Sequence, residues 1–459
     1  MHAGSGPIRI AWDTWRAERG GGAAIGRLQQ ARLAELVEFA RRASPYYRRL
    51  YREVPDTITD PRQLPPAAKR ELMEHFDEWV TDPHITLAKL KSELLSDPSK
   101  LGLLYRGKYL VATTSGTTGE PAVLVHDRTS WMVVSVVVRI RERRTLIRAG
   151  EIVAILRRGL RGAALVAGGG HFAGVVMTEY ARRRSPLIAR RLRVFSVLRP
   201  LPELVAELNG FKPTVLYGYP SAMLQLAGEQ KTGHLRIRPV LAISSGESLS
   251  DHGRAEIEAV LGCRVTERYL SSEVPALTSR CREGSFHVNS DWFLVEPVDQ
   301  NHQPVPAGVT SHTVLVTNLA NRVQPFIRYD LGDRIEMAVD PCPCGSPFPV
   351  VRVEGRAGEA LAFQTADGRE ATVLPLALVT VVEETAGVRR FQAIRTGPSS
   401  LTVRLETWPD ADPDAVRASV RERLAGFLAT QGCDAVDVQF AEELPRPDRS
   451  GKFRQVWSA

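Results

Sequence analysis

The sequence predicts an α/β protein: a large N-terminal domain with doubly wound mixed sheets plus an antiparallel subdomain, and a small mobile α+β C-terminal domain. Three observations carry this expectation. Between Val111 and Glu273 short apolar runs alternate with helical patterns, as in a parallel sheet wound by helices. From Phe286 to Glu336 strand-like runs (WFLVEPV, TVLVTNL, QPFIRY, DRIEM) follow one another without helices between them. Gly355-Arg356-Ala357-Gly358-Glu359 then reads as a flexible joint ahead of a unit with its own helix and strand.

Residues 25–105 read as a helical cap, with Leu33, Leu36, Val37 and Ala40 on one face and Pro65-Pro66 breaking the chain before KRELMEHFDEWV. In the core, strands are expected at Ile152 to Leu156, Thr214 to Tyr217, Val240 to Ser244 and Arg264 to Tyr269. Helices are expected near Pro202 to Asn209, Ser221 to Gly228 and Ser250 to Leu261. Past the joint, Asp412 is an N-cap with Pro413 at the first helical position. Val416, Val420, Leu424, Phe427 and Leu428 share a face, and Gly432 follows the end. Val436, Val438 and Phe440 then alternate as a strand. The expected division is a domain over 1–355 (cap about 25–105, α/β core about 106–285, β-rich subdomain about 286–355) and a small one over 356–459.

A chain of 459 residues exceeds one ordinary core. The net charge is +8, but basic residues are spread along the chain without a tail or interleaved aromatics. That pattern points to small anionic substrates and not to nucleic acid. Apolar runs such as Trp131 to Val138 are too short for a bilayer, and MHAGSGPIRIAWDTW lacks the regions of a signal peptide, so no membrane partner and a cytoplasmic location are expected. Five cysteines do not make a disulfide framework.

Chemistry concentrates first in Thr113 to His126, TTSGTTGEPAVLVH. Gly116 and Gly119 let backbone N–H groups approach an anion, and the hydroxyls of Thr113, Thr114, Ser115, Thr117 and Thr118 add donors. The segment has no lysine and leads into a strand, so it is not a Walker A loop. A serine- and threonine-rich hairpin turn is the plain alternative. Two expected strand ends carry unusual residues, Tyr217-Gly218-Tyr219-Pro220 and Ser244-Ser245-Gly246-Glu247.

Taken in order, these motifs together with Tyr269-Leu270-Ser271-Ser272-Glu273, Arg328-Tyr329-Asp330-Leu331-Gly332-Asp333 and Ser450-Gly451-Lys452 resemble the adenylate-forming superfamily of acyl-CoA synthetases, adenylation domains and luciferases. The branch they are most similar to is the phenylacetate-CoA ligase-like one, and the resemblance extends into the cap through SPYYRRLY and LPPAAKREL. It implies an ATP- and Mg²⁺-dependent ligase that adenylates a carboxylic acid, aryl or arylacetic in type. Pyrophosphate is released, and the acyl group passes to a thiol, coenzyme A first. Thr113 to Pro121 would hold the β- and γ-phosphates, with Thr117 among the catalytic hydroxyls. Ser245, Gly246 and Glu247 would lie along adenine and substrate. Tyr269 would stack on adenine, Ser272 would face the α-phosphate and Glu273 would hold Mg²⁺. Asp333 would grip the ribose hydroxyls, with Arg356 nearby, and Lys452 would be the catalytic lysine of the mobile domain.

The residue types suit that chemistry. A carboxylate attacking the α-phosphate brings two anions together, so positive charge is needed where they meet. Singly, Glu273 could cap a helix, Asp333 could serve a turn and Lys452 could be a solvated tail lysine. Three departures stand out. Leu270 replaces a glycine, Phe363 to Gly368 replaces a glycine-rich loop, and Glu359 stands at the hinge after Gly358. The changed loop keeps an amine or carrier-protein thiol open as the acceptor. A non-catalytic nucleotide-binding protein is the remaining alternative.

Tyr217 and Tyr219 are candidate walls of an acyl pocket, and His171 in Gly168-Gly169-Gly170-His171 is a third, each with core packing or surface exposure as the alternative. Cys342-Pro343-Cys344-Gly345 with Cys281 and His287 could form a closed Cys₃His zinc site; two cysteines in a Pro/Gly turn beside an unrelated histidine is the alternative. Cys263 and Cys433 read as ordinary buried cysteines.

Overall fold

The computed structural model describes residues 6–114, 122–142, 147–168, 170–356, 361–365, 370–373, 375–447 and 453–459. It is a mixed α/β fold with both parallel and antiparallel sheets. The central sheet has five parallel strands in the spatial order Leu192–Ser196, Gly162–Val166, Val215–Gly218, Leu241–Ser245, Arg264–Arg268. Its side chains alternate faces, as the pleat requires. Ala163, Leu165, Leu216 and Ala242 pack against helices Leu201–Phe211, Pro220–Lys231 and Asp251–Leu261. Ala164 and Val166 pack against Val175 of helix Ala173–Arg183. Helices therefore cover both faces, and all five strands point their carboxyl ends at one edge, where ligands of such sheets bind.

One expectation fails here. Ile152 to Leu156 lies inside helix Ala149–Arg157, and the strand follows at Gly162–Val166. The Glu151 carboxylate caps the helix by accepting the Arg148 N–H at 2.7 Å, and the IVAIL run lies largely on the surface, with Ile152, Val153 and Leu156 exposed. Strand Leu192–Ser196 and helices Arg128–Arg141 and Ala173–Arg183 complete the unit without having been expected.

The N-terminal region is more helical than 25–105, since its first helix runs Pro7–Ala43 with a break at Gly21. Its core is shared with two antiparallel sheets. One holds Phe293–Val298, Thr313–Asn318 and Tyr329–Asp330; the other holds Asp333–Met337, Val350–Arg356, Phe286–Val288 and Thr278–Arg280. Of the run QPFIRY only Tyr329 is in a strand. The Pro325 carbonyl is one of the places where the cap is tied to the sheets. Pro325 O accepts from Tyr47 Oη at 2.9 Å and from Trp79 Nε1 at 2.7 Å, both buried, so both of its lone pairs are used.

Beyond residue 360 a separate core forms around Phe391, Leu401, Val403, Val420 and Leu424. Its sheet runs Asp437–Phe440, Ser400–Thr407, Val388–Gly397, Val456–Ser458, the last strand pairing parallel to Val388–Gly397. Helix Pro413–Thr430 covers it, with Asp412 Oδ1 accepting the Asp414 N–H at 3.0 Å and Gly432 at φ 74° after its end.

The shared carbonyl sets a stability test. Tyr47→Phe should cost about 1 kcal/mol, because Trp79 still satisfies Pro325 O. Trp79→Phe, which also removes buried volume, should cost about 2–3 kcal/mol. Equal midpoint shifts in urea unfolding would contradict this asymmetry.

Candidate active site at the strand ends

Two glycines shape the mouth of the sheet. A Cβ on Gly218 (φ 150°) would lie 2.0 Å from Leu165 O, so only glycine permits the neighbouring strands to approach there. Gly246 adopts φ 87°, and a Cβ there would meet the Tyr219 ring at 3.1 Å. The two turns expose Tyr217, Tyr219, Ser245 and Glu247 on one cleft of 980 Å³.

The same cleft is lined by Thr113, Thr114, Tyr269, Ser272, Glu273 and Asp333. Strands Leu110–Thr113 and Val123–His126 pair antiparallel and bracket the hydroxyl-rich loop. The loop's base is closed by Thr114 N–H to Ala122 O and Ala122 N–H to Thr114 Oγ1, both at 2.9 Å. Ser115, Gly116, Thr117, Thr118 and Gly119 themselves lie outside the described residues, as do Glu359 and Lys452. Tyr269 donates from its hydroxyl to Asp333 Oδ2 at 2.9 Å, which ties together two residues 64 apart in sequence. Glu273 is 7% exposed, and its Oε1 accepts from Tyr329 Oη at 3.3 Å. Arg356 ends strand Val350–Arg356, its backbone opposite Asp333. Arg328 instead serves the fold: buried, it donates to Leu64 O at 2.5 Å and pairs with Glu296 at 3.2 Å.

His171 is not among the residues lining the cleft. Its ring is buried, burial lowers its pKa, and its carbonyl accepts the Thr113 N–H at 2.7 Å. The wall position belongs to Phe172, with Val166, Ala173 and Met177 beside it. These were missed because a continuous apolar stretch carries no site signal. Lys69 and Glu383 also line the cleft; the sequence marked Lys69 only as part of an amphipathic helix and did not single out Glu383.

The far side of the cleft comes from the C-terminal unit. Glu247 Oε1 accepts the Phe453 N–H at 2.8 Å while Oε2 accepts the Ser221 N–H at 3.2 Å. Glu383 accepts from Ser250 Oγ and from Gln455 Nε2, the latter at 2.7 Å. The chain thus enters the cleft immediately after Lys452.

His126, at the end of strand Val123–His126, is buried. Its Nε2 lies 2.9 Å from Ser272 O and its Nδ1 3.4 Å from Ser130 Oγ. A carbonyl only accepts, so Nε2 carries the proton and Nδ1 accepts from the serine. Burial lowers the His126 pKa. The sign follows: the folded state resists protonation, so stability is complete above the unfolded value of about 6.5 and falls as pH drops below it. Wild-type protein should lose stability as pH falls below about 6.5, and His126→Gln should flatten that slope. An unchanged slope would remove His126 as its source.

No protein-family model matches the chain. It is 26% identical over 334 residues to the phenylacetate-coenzyme A ligase of Thermus thermophilus, covering 69% of this chain and 67% of that protein. Among solved structures it matches 2-hydroxyisobutyryl-CoA ligase with its acyl-AMP in the postadenylation state at TM-score 0.70 and 19% identity, covering 97% and 91% of the two chains. In the thioesterification state of the same ligase, with acyl-AMP and CoA, the TM-score is 0.55. The anthranilate CoA ligase AuaEII matches at TM-score 0.50 and 15% identity, over 75% of this chain and 64% of that one. With the ordered motifs now gathered on one cleft, these likenesses support the adenylate-forming superfamily, on its phenylacetate-CoA ligase-like branch, as the group this chain is similar to.

Proposed function

We propose that the protein is an ATP- and Mg²⁺-dependent ligase that adenylates a carboxylic acid of aryl or arylacetic type and passes the acyl group to the thiol of coenzyme A. One observation carries the proposal: Tyr269, Glu273, Asp333, Glu247 and the first residues of the hydroxyl-rich loop, Thr113 and Thr114, line a single cleft that the segment after Lys452 also enters. The relatives named above are acid-CoA ligases, which supports the reaction class.

In this proposal Tyr269 packs on adenine, Asp333 and Arg356 hold the ribose, and Ser245, Gly246 and Glu247 run along nucleotide and acid. Thr113 to Gly119, Thr117 included, hold the β- and γ-phosphates on hydroxyls and backbone amides, and Ser272 faces the α-phosphate. Glu273 is a nearly buried carboxylate at the cleft wall, a donor suited to a hard cation. A magnesium ion there would neutralise charge developing on the phosphate oxygens. Residues 356–459 act as a lid on the domain formed by 1–355. The lid brings the Lys452 ammonium to the attacking carboxylate and the α-phosphate, and the docked position orients the acid and excludes water. The acid lies against Phe172, Met177, Val166, Tyr217 and Tyr219, a wall of aromatic and apolar groups that favours a flat ring over a charged chain.

The test is pyrophosphate release over a panel of aryl, arylacetic, alkyl and amino acids, with coenzyme A, an amine or a carrier protein as acceptor. Release that depends on an aryl acid, with product thioester, is expected. Turnover indifferent to coenzyme A but supported by an amine would reassign the acceptor, and no release with any acid would end the enzymatic reading. Lys452→Ala should lower adenylate formation by about 10²–10³ while thioester formation from supplied acyl-adenylate survives. Equal loss of both steps would remove Lys452 from that role. Replacing Thr117 and Thr118 together by alanine should raise the KM for ATP, and an unchanged KM would displace the loop from phosphate binding.

A further inference from the structure

We infer that Cys281, His287, Cys342 and Cys344 form a structural zinc site that staples the hairpin Thr278–Val288 to the loop leading into strand Val350–Arg356. Nothing in the proposed reaction uses these residues. They come from separate stretches of chain, yet one ligand atom from each falls within 4.8 Å of all the others. All five cysteines are free.

The spacing has the dimensions of a coordination tetrahedron. With metal–sulfur bonds of about 2.3 Å and metal–nitrogen bonds of about 2.0 Å, tetrahedral angles place two sulfurs about 3.8 Å apart and a sulfur and a nitrogen about 3.5 Å apart. The Cys281 and Cys342 Sγ atoms are 3.8 Å apart, and Cys344 Sγ lies 3.4 Å from His287 Nε2. Two edges are therefore already at the lengths a bound ion would impose. The sulfur pair is too distant for a disulfide bond, which needs about 2.05 Å.

The surroundings hold the ligands in aim. His287 Nδ1 donates to Phe348 O at 2.7 Å, which leaves the Nε2 lone pair facing the sulfurs, the arrangement metal-bound imidazoles take. The Ser346 N–H points at Cys344 Sγ at 3.4 Å, a donor that favours thiolate. Gly345 at φ 78° turns the chain back after Cys344, and its N–H closes onto Cys342 O at 3.1 Å. Phe348 is itself clamped, with the Arg141 guanidinium 4.0 Å over its ring and Arg141 paired to Asp291 at 2.8 Å. Three thiolates and one imidazole complete a tetrahedron, so the site suits a structural and not a catalytic ion, and the soft donor set selects zinc over magnesium or calcium.

The position gives the staple a purpose. Strand Phe286–Val288 pairs with Val350–Arg356 through Val350 and Val351, and Glu283 to Phe286 and Val350 to Gly355 line the cleft. The metal holds that wall from behind without touching the cleft contents.

Full-length protein purified without chelator should carry about one zinc per chain by elemental analysis. Cobalt(II) exchanged into stripped protein should give a thiolate-to-metal charge-transfer band with intense tetrahedral ligand-field bands. Stripping should lower the melting temperature and speed hydrogen exchange in residues 281–288 and 342–351, and zinc should restore both. Cys344→Ser should lose at least about fivefold in zinc content. Because wild-type protein carries the metal and cobalt measurements, a variant that fails to fold does not decide the matter. Substoichiometric zinc without a cobalt charge-transfer band, or a Cys281–Cys342 disulfide found by mass spectrometry in protein as purified, overturns the site.

Discussion

The close approach of two strands at Leu165 and Gly218 is the constraint on which the cleft depends. With 2.0 Å between Leu165 O and the place a Cβ would occupy, the chain can leave the sheet at that point only as glycine. The next N–H, that of Tyr219, turns back to Leu165 O at 3.4 Å, and the tyrosine ring then sits under Gly246 from the adjoining strand. Neither tyrosine could line the cleft if the strands ended in ordinary residues. Parallel strands place their carboxyl ends together, but the glycines open that edge wide enough for a ligand.

The cleft this creates is rich in carboxylates. Glu247, Glu267, Glu273, Asp330, Asp333 and Glu383 all line it. Several are already spoken for: Asp333 by Tyr269, Glu247 by two backbone N–H groups, Glu267 by Arg254 and Arg280. Lys69, Arg268, Arg352 and Arg454 line the cleft too, and in our proposal magnesium and Lys452 add to the positive charge that a polyanionic substrate meets there.

Much of this was legible because function-bearing segments advertise themselves locally. Glycine beside hydroxyls, or Tyr-Asp-Leu-Gly-Asp between apolar runs, is improbable as packing, and the loop's flanking strands at Leu110–Thr113 and Val123–His126 fell where its apolar borders implied. Periodicity served less well at Ile152 to Leu156, since five consecutive apolar residues fit a buried strand and a short helix equally. What decided it was Glu151, which caps the helix locally at Arg148 and pairs with the distant Arg264, a partner that only the fold supplies. His171 misled for a related reason. The sequence could not say which of two neighbours, His171 or Phe172, would face the cleft, because a one-residue change of register exchanges inside for outside. The cysteines and His287 were legible as types, but only the pairing of Phe286–Val288 with Val350–Arg356 brings them together.

The two sides of the cleft are built in opposite ways. On one side, Val350–Arg356 is paired in a sheet and, in our proposal, stapled behind by metal. On the other, the C-terminal unit has its own apolar core, which among the described residues takes no member from the central sheet. Among the described residues its contacts with the rest of the chain include polar ones, Phe453 to Glu247, Ser250 to Glu383 and Arg389 to Glu229, and an apolar one, Trp408 packed on Gly228. Polar contacts exchange for water at small net cost, whereas opening an apolar core costs about 25 cal/mol for each Å² exposed. In our proposal the unit leaves the cleft without unfolding, and its polar contacts are suited to that. A lysine that must act in one half-reaction and withdraw for the next would need that kind of attachment, and the wall it leaves behind must keep its shape meanwhile. In our proposal a rigid stapled face opposite a weakly docked lid meets both needs.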